Sequence, residues 1–239
     1  MKINVHAGHN PDGKVACGAV GLIYESTEAR NVASKLITYL QKAGHTVYNC
    51  TVNDGTSQSD VLNKIVRKCN ANSVDLDISI HFNAGAKDTS GNGATTGTEV
   101  LVYDKATKAY TYAEKVCKEI SKLGYKNRGV KVNQGLYFLN NTKSPAMLIE
   151  CCFVDDMDDV KLYSADKMAK AIATAICGEI KEDDEMEKIT VKLNVFGETK
   201  TISGYNIGGL NNVGIRDICE LLGVTVGYDS ATKTVVLSK

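Results

Sequence analysis

The sequence predicts an α/β protein, a mostly parallel sheet flanked by helices on both faces, followed by a small β-rich α+β module. Three observations carry this prediction. Over residues 1–180, apolar runs of strand length alternate with stretches whose apolar residues recur at i, i+3 and i+4. Several of the strand runs are apolar nearly throughout, as strands covered on both faces must be. Composition then breaks at Lys181-Glu182-Asp183-Asp184-Glu185, a charge run with no apolar residue, and a different pattern follows.

Taken in order, residues 3–6 form a short strand, and residues 27–43 a helix with Ala29, Val32, Ala33, Leu36, Ile37 and Leu40 on one face and Gly44 ending it. Residues 45–49 give a second strand. A helix over 57–72 carries Val61, Leu62, Ile65 and Cys69 inward, and 74–81 is a buried central strand that ends on His81. Residues 98–103 form a strand, 105–123 a helix, 146–152 another buried strand and 164–181 an amphipathic helix. Beyond the acidic linker 181–187, residues 189–196 alternate as a strand, 204–214 are rich in Gly and Asn, and 215–222 form a short helix. Segments 224–228 and 234–237 then flank an Asp229-Ser230 turn as a hairpin. A module of about fifty residues buries little core, so residues 188–239 are expected to dock or self-associate, giving a homo-oligomer.

Composition narrows the function classes. Lys+Arg and Asp+Glu number 28 each, so no net field exists to hold nucleic acid or an anionic surface. The eight cysteines show no C-x-x-C pair and read as small buried hydrophobes of a reducing compartment. No apolar stretch approaches the ~20 residues of a membrane span. Residues 1–5 run directly into a strand with no signal-peptide pattern, so the expected place of synthesis is the cytoplasm.

The chemistry gathers where buried strands stop. His6-Ala7-Gly8-His9-Asn10, Ser79-Ile80-His81-Phe82-Asn83 and Leu148-Ile149-Glu150 each place an ionisable side chain at a strand end, the edge at which open α/β sheets bind ligands. Two imidazoles and carboxylates delivered there suit a metal centre that takes three protein ligands and keeps a fourth position open. The carboxylate ligand has two candidates at the first helix, Glu25 and, one turn later, Glu28.

Five ordered motifs carry a resemblance: Gly8-His9, Glu25 opening the first helix, Ser79-Ile80-His81-Phe82-Asn83, Asn127-Arg128-Gly129-Val130-Lys131, and Leu148-Ile149-Glu150. Together they resemble the N-acetylmuramoyl-L-alanine amidases of the amidase-3 group, over roughly the first 180 residues. The resemblance implies a Zn²⁺ enzyme acting on peptidoglycan, with His9, Glu25 and His81 as metal ligands and Glu150 as the catalytic carboxylate. It implies Arg128 and Asn83 as substrate-side residues, and a wall-lytic role like that of a bacteriophage endolysin or bacterial autolysin, acting after release from the cell. Rival readings are a zinc peptidase cutting within the stem peptide and a non-enzymatic wall-binding protein. One departure stands out: most members carry Asp where this chain has His6, which creates a second imidazole in H-x-x-H spacing and a rival ligand. Residues 215–229 and 232–236 are similar to copper amine oxidase N-terminal-like modules, without a visible copper ligand set. Their expected role is wall targeting or association, and Met186 after the linker is a possible internal start for a free copy.

Overall fold

The computed structural model describes residues 1–179, 187–207, 210–229 and 234–238. Residues 181–186 of the acidic linker, Met186 among them, and positions 230–233 of the predicted hairpin turn lie outside the described residues, and Glu187, placed in the linker from the sequence, already belongs to a strand. The chain divides into two compact units, Met1–Ile180 and Lys181–Lys239.

In the first unit the order is β1 (Lys2–Ala7), α1 (Glu25–Lys42), β2 (Thr46–Asn49), α2 (Gln58–Asn70), β3 (Leu76–Asn83), β4 (Thr98–Val102) and α3 (Ala109–Ser121). It continues with β5 (Asn127–Val132), α4 (Tyr137–Asn141), β6 (Ala146–Phe153), α5 (Met157–Leu162) and α6 (Ala165–Cys177). The six strands form one sheet in the order β2-β1-β3-β6-β4-β5. β2, β1, β3 and β6 are parallel; β4 runs antiparallel to β6, and β5 parallel to β4. The sheet is therefore mostly parallel, as the apolar runs predict, with one reversal that the sequence does not announce. That reversal brings the starts of β4 and β5 to the edge where β1, β3 and β6 end.

Alternation of side chains along each strand sorts the two faces. On one face Ile3, Val5, Ile78, Ile80, Met147 and Ile149 are fully buried and pack with α1, α3 and α6 into the main core. The other face carries Asn4, His6, Asp77 and Ser79, all buried, and is covered by α2 and α4 with a smaller apolar cluster that includes Val61, Ile65, Phe138 and Leu148. All eight cysteines are free thiols, six of them buried, which matches their reading as core residues.

Local chemistry shifts two helix starts from the periodic expectation. α1 begins two residues earlier, at Glu25, because the Tyr24 carbonyl already accepts the N–H groups of Thr27 and Glu28, while the Ala19 N–H holds the Glu25 carboxylate at 2.7 Å. α3 begins only at Ala109, because Asp104 accepts the backbone N–H groups of Ala106 and Thr107 and spends that stretch as a side-chain-closed turn. Strand β5 and helices α4 and α5 lack the apolar periodicity that would have marked them, and their placement is decided by packing.

In the second unit β7 (Glu187–Val195), β8 (Glu198–Ile207) and β9 (Leu210–Val213) form an antiparallel sheet, α7 spans Ile215–Leu221, and β10 (Thr225–Asp229) pairs antiparallel with β11 (Thr234–Ser238). The Gly- and Asn-rich stretch thus contributes the end of β8 and β9. Among the described residues no helix is long and apolar enough to cross a membrane.

Candidate active site

His9, Glu25 and His81 meet at the carboxyl edge of β1 and β3, with ligand atoms all within 4.8 Å of one another. Nδ1 of His81 lies 2.9 Å and Nε2 of His9 3.2 Å from the same Glu25 oxygen, Oε1. The two rings stand edge to face with centroids 4.8 Å apart. Burial opposes charge on Glu25, yet its contacts with His81 and His9 outweigh that and hold the carboxyl well below the usual carboxylate range. Burial also pushes the His81 imidazole down. Metal ligation requires an ionised carboxylate, and Glu25 is held in that form. Two nitrogens and one oxygen within 4.8 Å of one another make a donor set that suits zinc.

The backbone builds this convergence. His9 adopts φ +65, a left-handed conformation rare for a non-glycine residue, which turns its ring off the line of β1 and back toward His81. Arg30 of α1 holds that turn: it donates to the carbonyls of His9 (2.9 Å), Val52 (2.9 Å) and Ser26 (2.8 Å) and to the Asn53 side chain. Fully buried Asn10 ties the next step to the carbonyls of Val15 and Gly55 and to the Gly55 N–H. Neither Arg30 nor Asn10 was singled out from the sequence for this role; an Arg one turn into a helix carries no signal beyond a solvated cation. Gly8 allows the approach, since a Cβ there would fall onto Cε1 and Nε2 of His81. Gly8→Ala is expected to rotate that ring out of the triad, lowering metal content and activity together at a stability cost of about 1–3 kcal/mol. Metal analysis and thermal melting of the purified variant check both.

Glu150 lies opposite His81 in the β3–β6 register. Its Oε2 is buried with no hydrogen-bond partner among the described residues. Burial, followed by the nearby charges of Glu25 and Glu99, pushes the carboxyl up to about 8. Glu99 is the residue that the strand reversal delivers, standing opposite Glu150 across β4 and β6. It anchors the other two candidates: Arg128 Nε donates to its Oε2 at 2.9 Å, and Asn83 Nδ2 to its Oε1 at 3.0 Å. The Arg128 guanidinium also lies 5.0 Å over the Phe153 ring. Asn83 Oδ1 accepts the Ala84 N–H, so both ends of that amide are engaged in bracing the edge.

The remaining sequence candidates separate cleanly. Glu28 is held away from the triad by Asn31 (3.0 Å) and the Tyr163 hydroxyl (2.8 Å). His6 is buried on β1, does not join the converging ligand atoms, and is pushed down to about 3, chiefly by burial. The fourth histidine, His45, lies apart from these at the α1–β2 turn, against Cys177 at 3.1 Å. A second carboxylate group, Asp88, Asp156 and Asp158, is bound up in folding the 84–97 loop. Asp156 takes the N–H groups of Thr96, Asp158 and Asp159, and Asp158 those of Asn92 and Gly93.

Known proteins similar to this chain point to one family. An uncharacterized protein of Clostridium perfringens (strain 13 / Type A) is 37% identical over 215 residues, which is 86% of this chain and 62% of that protein. A second Clostridium perfringens protein, described only as an uncharacterized 38.4 kDa protein, is matched over 53% of its length, so the chain spans less than two thirds of either relative. The endolysin of Bacillus phage SPP1 is 32% identical over 131 residues, 49% of this chain and 44% of that protein. Among solved structures, the catalytic domain of CD27L endolysin, described as targeting Clostridia Difficile, superposes with a TM-score of 0.67 at 28% identity, covering 76% of this chain and 99% of that domain. The family model for N-acetylmuramoyl-L-alanine amidase matches residues 3–182, the span that holds every residue of the site, and the chain belongs to that family.

Proposed function

We propose that this chain is a zinc-dependent N-acetylmuramoyl-L-alanine amidase that hydrolyses the amide between N-acetylmuramic acid and L-alanine in peptidoglycan. The observation that carries the reading is a His9–Glu25–His81 triad beside Glu150, whose Oε2 is buried and unpartnered. Zinc held by the triad supplies Lewis acidity toward a carbonyl oxygen and toward water. Glu150 takes the proton of the attacking water through its free oxygen and returns it to the departing amine of alanine. Glu99 fixes Arg128 at the same edge, and guanidinium N–H groups not used by Glu99 suit a peptide carboxylate of the substrate. Gly8, Arg30 and Asn10 keep the His9 ring in place while this happens.

At the level of the cell, the reading is wall lysis after release, as a phage endolysin or bacterial autolysin. Residues 188–239 serve wall targeting or self-association, with Met186 as a second translation start. Digestion of isolated peptidoglycan by the pure chain tests the activity. Free N-terminal alanine is expected, without new reducing ends, and a chelator should abolish its release. New N-termini other than alanine would replace the amidase reading by that of a stem-peptide peptidase, and wall binding with no product by that of a binding protein.

A further inference from the structure

A cavity of about 280 Å³ opens beside Glu150 and runs from His9 and His81 down to His6 and Ser79. Its walls are mostly apolar, with Val61, Leu62 and Ile65 of α2 and Leu136, Phe138 and Leu148, beside the polar Gln58 and Tyr137. The floor is polar. His6 is 1% and Ser79 0% exposed, and the two are register neighbours on β1 and β3. Neither His6 Nε2 nor Ser79 Oγ has a hydrogen-bond partner among the described residues. With Glu150 Oε2, three of the six buried side-chain atoms left unpartnered line this one cavity. Buried polar atoms are rarely left so unless something comes to satisfy them.

The chemistry of the floor selects the partner. His6 Nδ1 is 3.2 Å from the Ala7 carbonyl, which only accepts, so the ring proton sits on Nδ1 and Nε2 offers a lone pair. Phe138 packs edge-on against the ring at 4.7 Å between centroids and fixes its plane. The floor therefore takes a hydrogen-bond donor, which an amide N–H supplies, and the walls take a short alkyl group. Depth agrees as well: His6 lies two strand residues below the His81–Glu150 row, about 6–7 Å, which is roughly one peptide unit plus a hydrogen bond.

We propose that this cavity binds the peptide side of the scissile amide, with the first residue's alkyl side chain against the α2 wall and His6 Nε2 accepting the N–H of the amide that follows it. The proposal rests on the amidase reading above and names the residue that recognises the substrate's second amide. The contact forms on binding and persists through the reaction, so its loss raises KM more than it lowers kcat.

The test uses the full chain, a soluble N-acetylmuramoyl peptide, and the same peptide N-methylated at the amide between its first and second residues. Wild type is expected to prefer the unmethylated substrate by about ten-fold in kcat/KM, mainly through KM. His6→Phe, which keeps the ring and removes the lone pair, is expected to cleave both at similar rates. Equal cleavage of the two substrates by wild type overturns the proposal and needs no variant, which covers a His6→Phe chain that fails to fold. Undiminished discrimination in folded His6→Phe overturns it too, by assigning the effect to bulk. Failure of wild type to release alanine from either substrate would overturn the amidase reading itself, a distinguishable result.

Discussion

Replacing Glu150 by glutamine is expected to lower turnover on the order of 10²–10⁴-fold while leaving the metal bound, because the amide keeps the shape of the side chain and loses the proton relay. Metal analysis beside a peptidoglycan digest separates the two effects. Retained hydrolysis in this variant would place the base elsewhere. The same substitution has a signature in stability. In the metal-free protein the folded Glu150 carboxyl is raised from 4.5 to about 8, so between those values the folded chain binds more protons than the unfolded chain. Stability from this group is fully present below pH 4.5 and is lost as pH rises through 8. The stability of wild type relative to Glu150→Gln is therefore expected to fall from pH 5 to pH 8 and then level off, as read from denaturant midpoints at each pH. A difference that grows with pH would contradict the buried, carboxylate-crowded setting of the side chain.

His81→Ala is expected to be as severe by a different route. Loss of one of three ligands leaves the metal weakly held, and the carbonyl polarisation it would supply is worth several kcal/mol, about a thousand-fold in rate. Metal content and activity should fall together, and chelation should bring wild type to the same level. Glu28→Gln is the informative contrast. Glu28 bonds Asn31 and Tyr163 and does not join the triad, so its metal content should be unchanged while Glu25→Gln loses the ion. The reverse pattern would make Glu28 the ligand.

Much of this site was legible in order along the chain. Apolar runs ending on His6 to His9, His81 and Glu150 placed three ionisable groups at strand ends, and parallel strands bring such ends to one edge. Periodicity alone could not choose between Glu25 and Glu28, because residues one helical turn apart share a face; the resemblance chose Glu25. The structure brings the Glu25 carboxylate, held by the Ala19 N–H, together with His9 and His81, and pairs Glu28 with Asn31 and Tyr163 instead. His6 was a rival ligand by spacing; strand alternation and the left-handed turn at His9 send the two rings to different places.

What the sequence by itself determined is what local pattern can encode: the α/β class, most elements of the first unit, the break before the second, and the identity of the ionisable groups at strand ends. Only the tertiary structure decided the reversal of β4 and β5, which sets Glu99 against Glu150 and makes it the anchor of Arg128 and Asn83. It alone decided that Arg30 and Asn10 hold the His9 turn and that His6 floors a cavity with an unpartnered lone pair. The physical reason is common to all of these. Strand direction, cross-strand register and buried hydrogen bonds are contacts between residues far apart in the chain, and no window of neighbouring residues carries their energy.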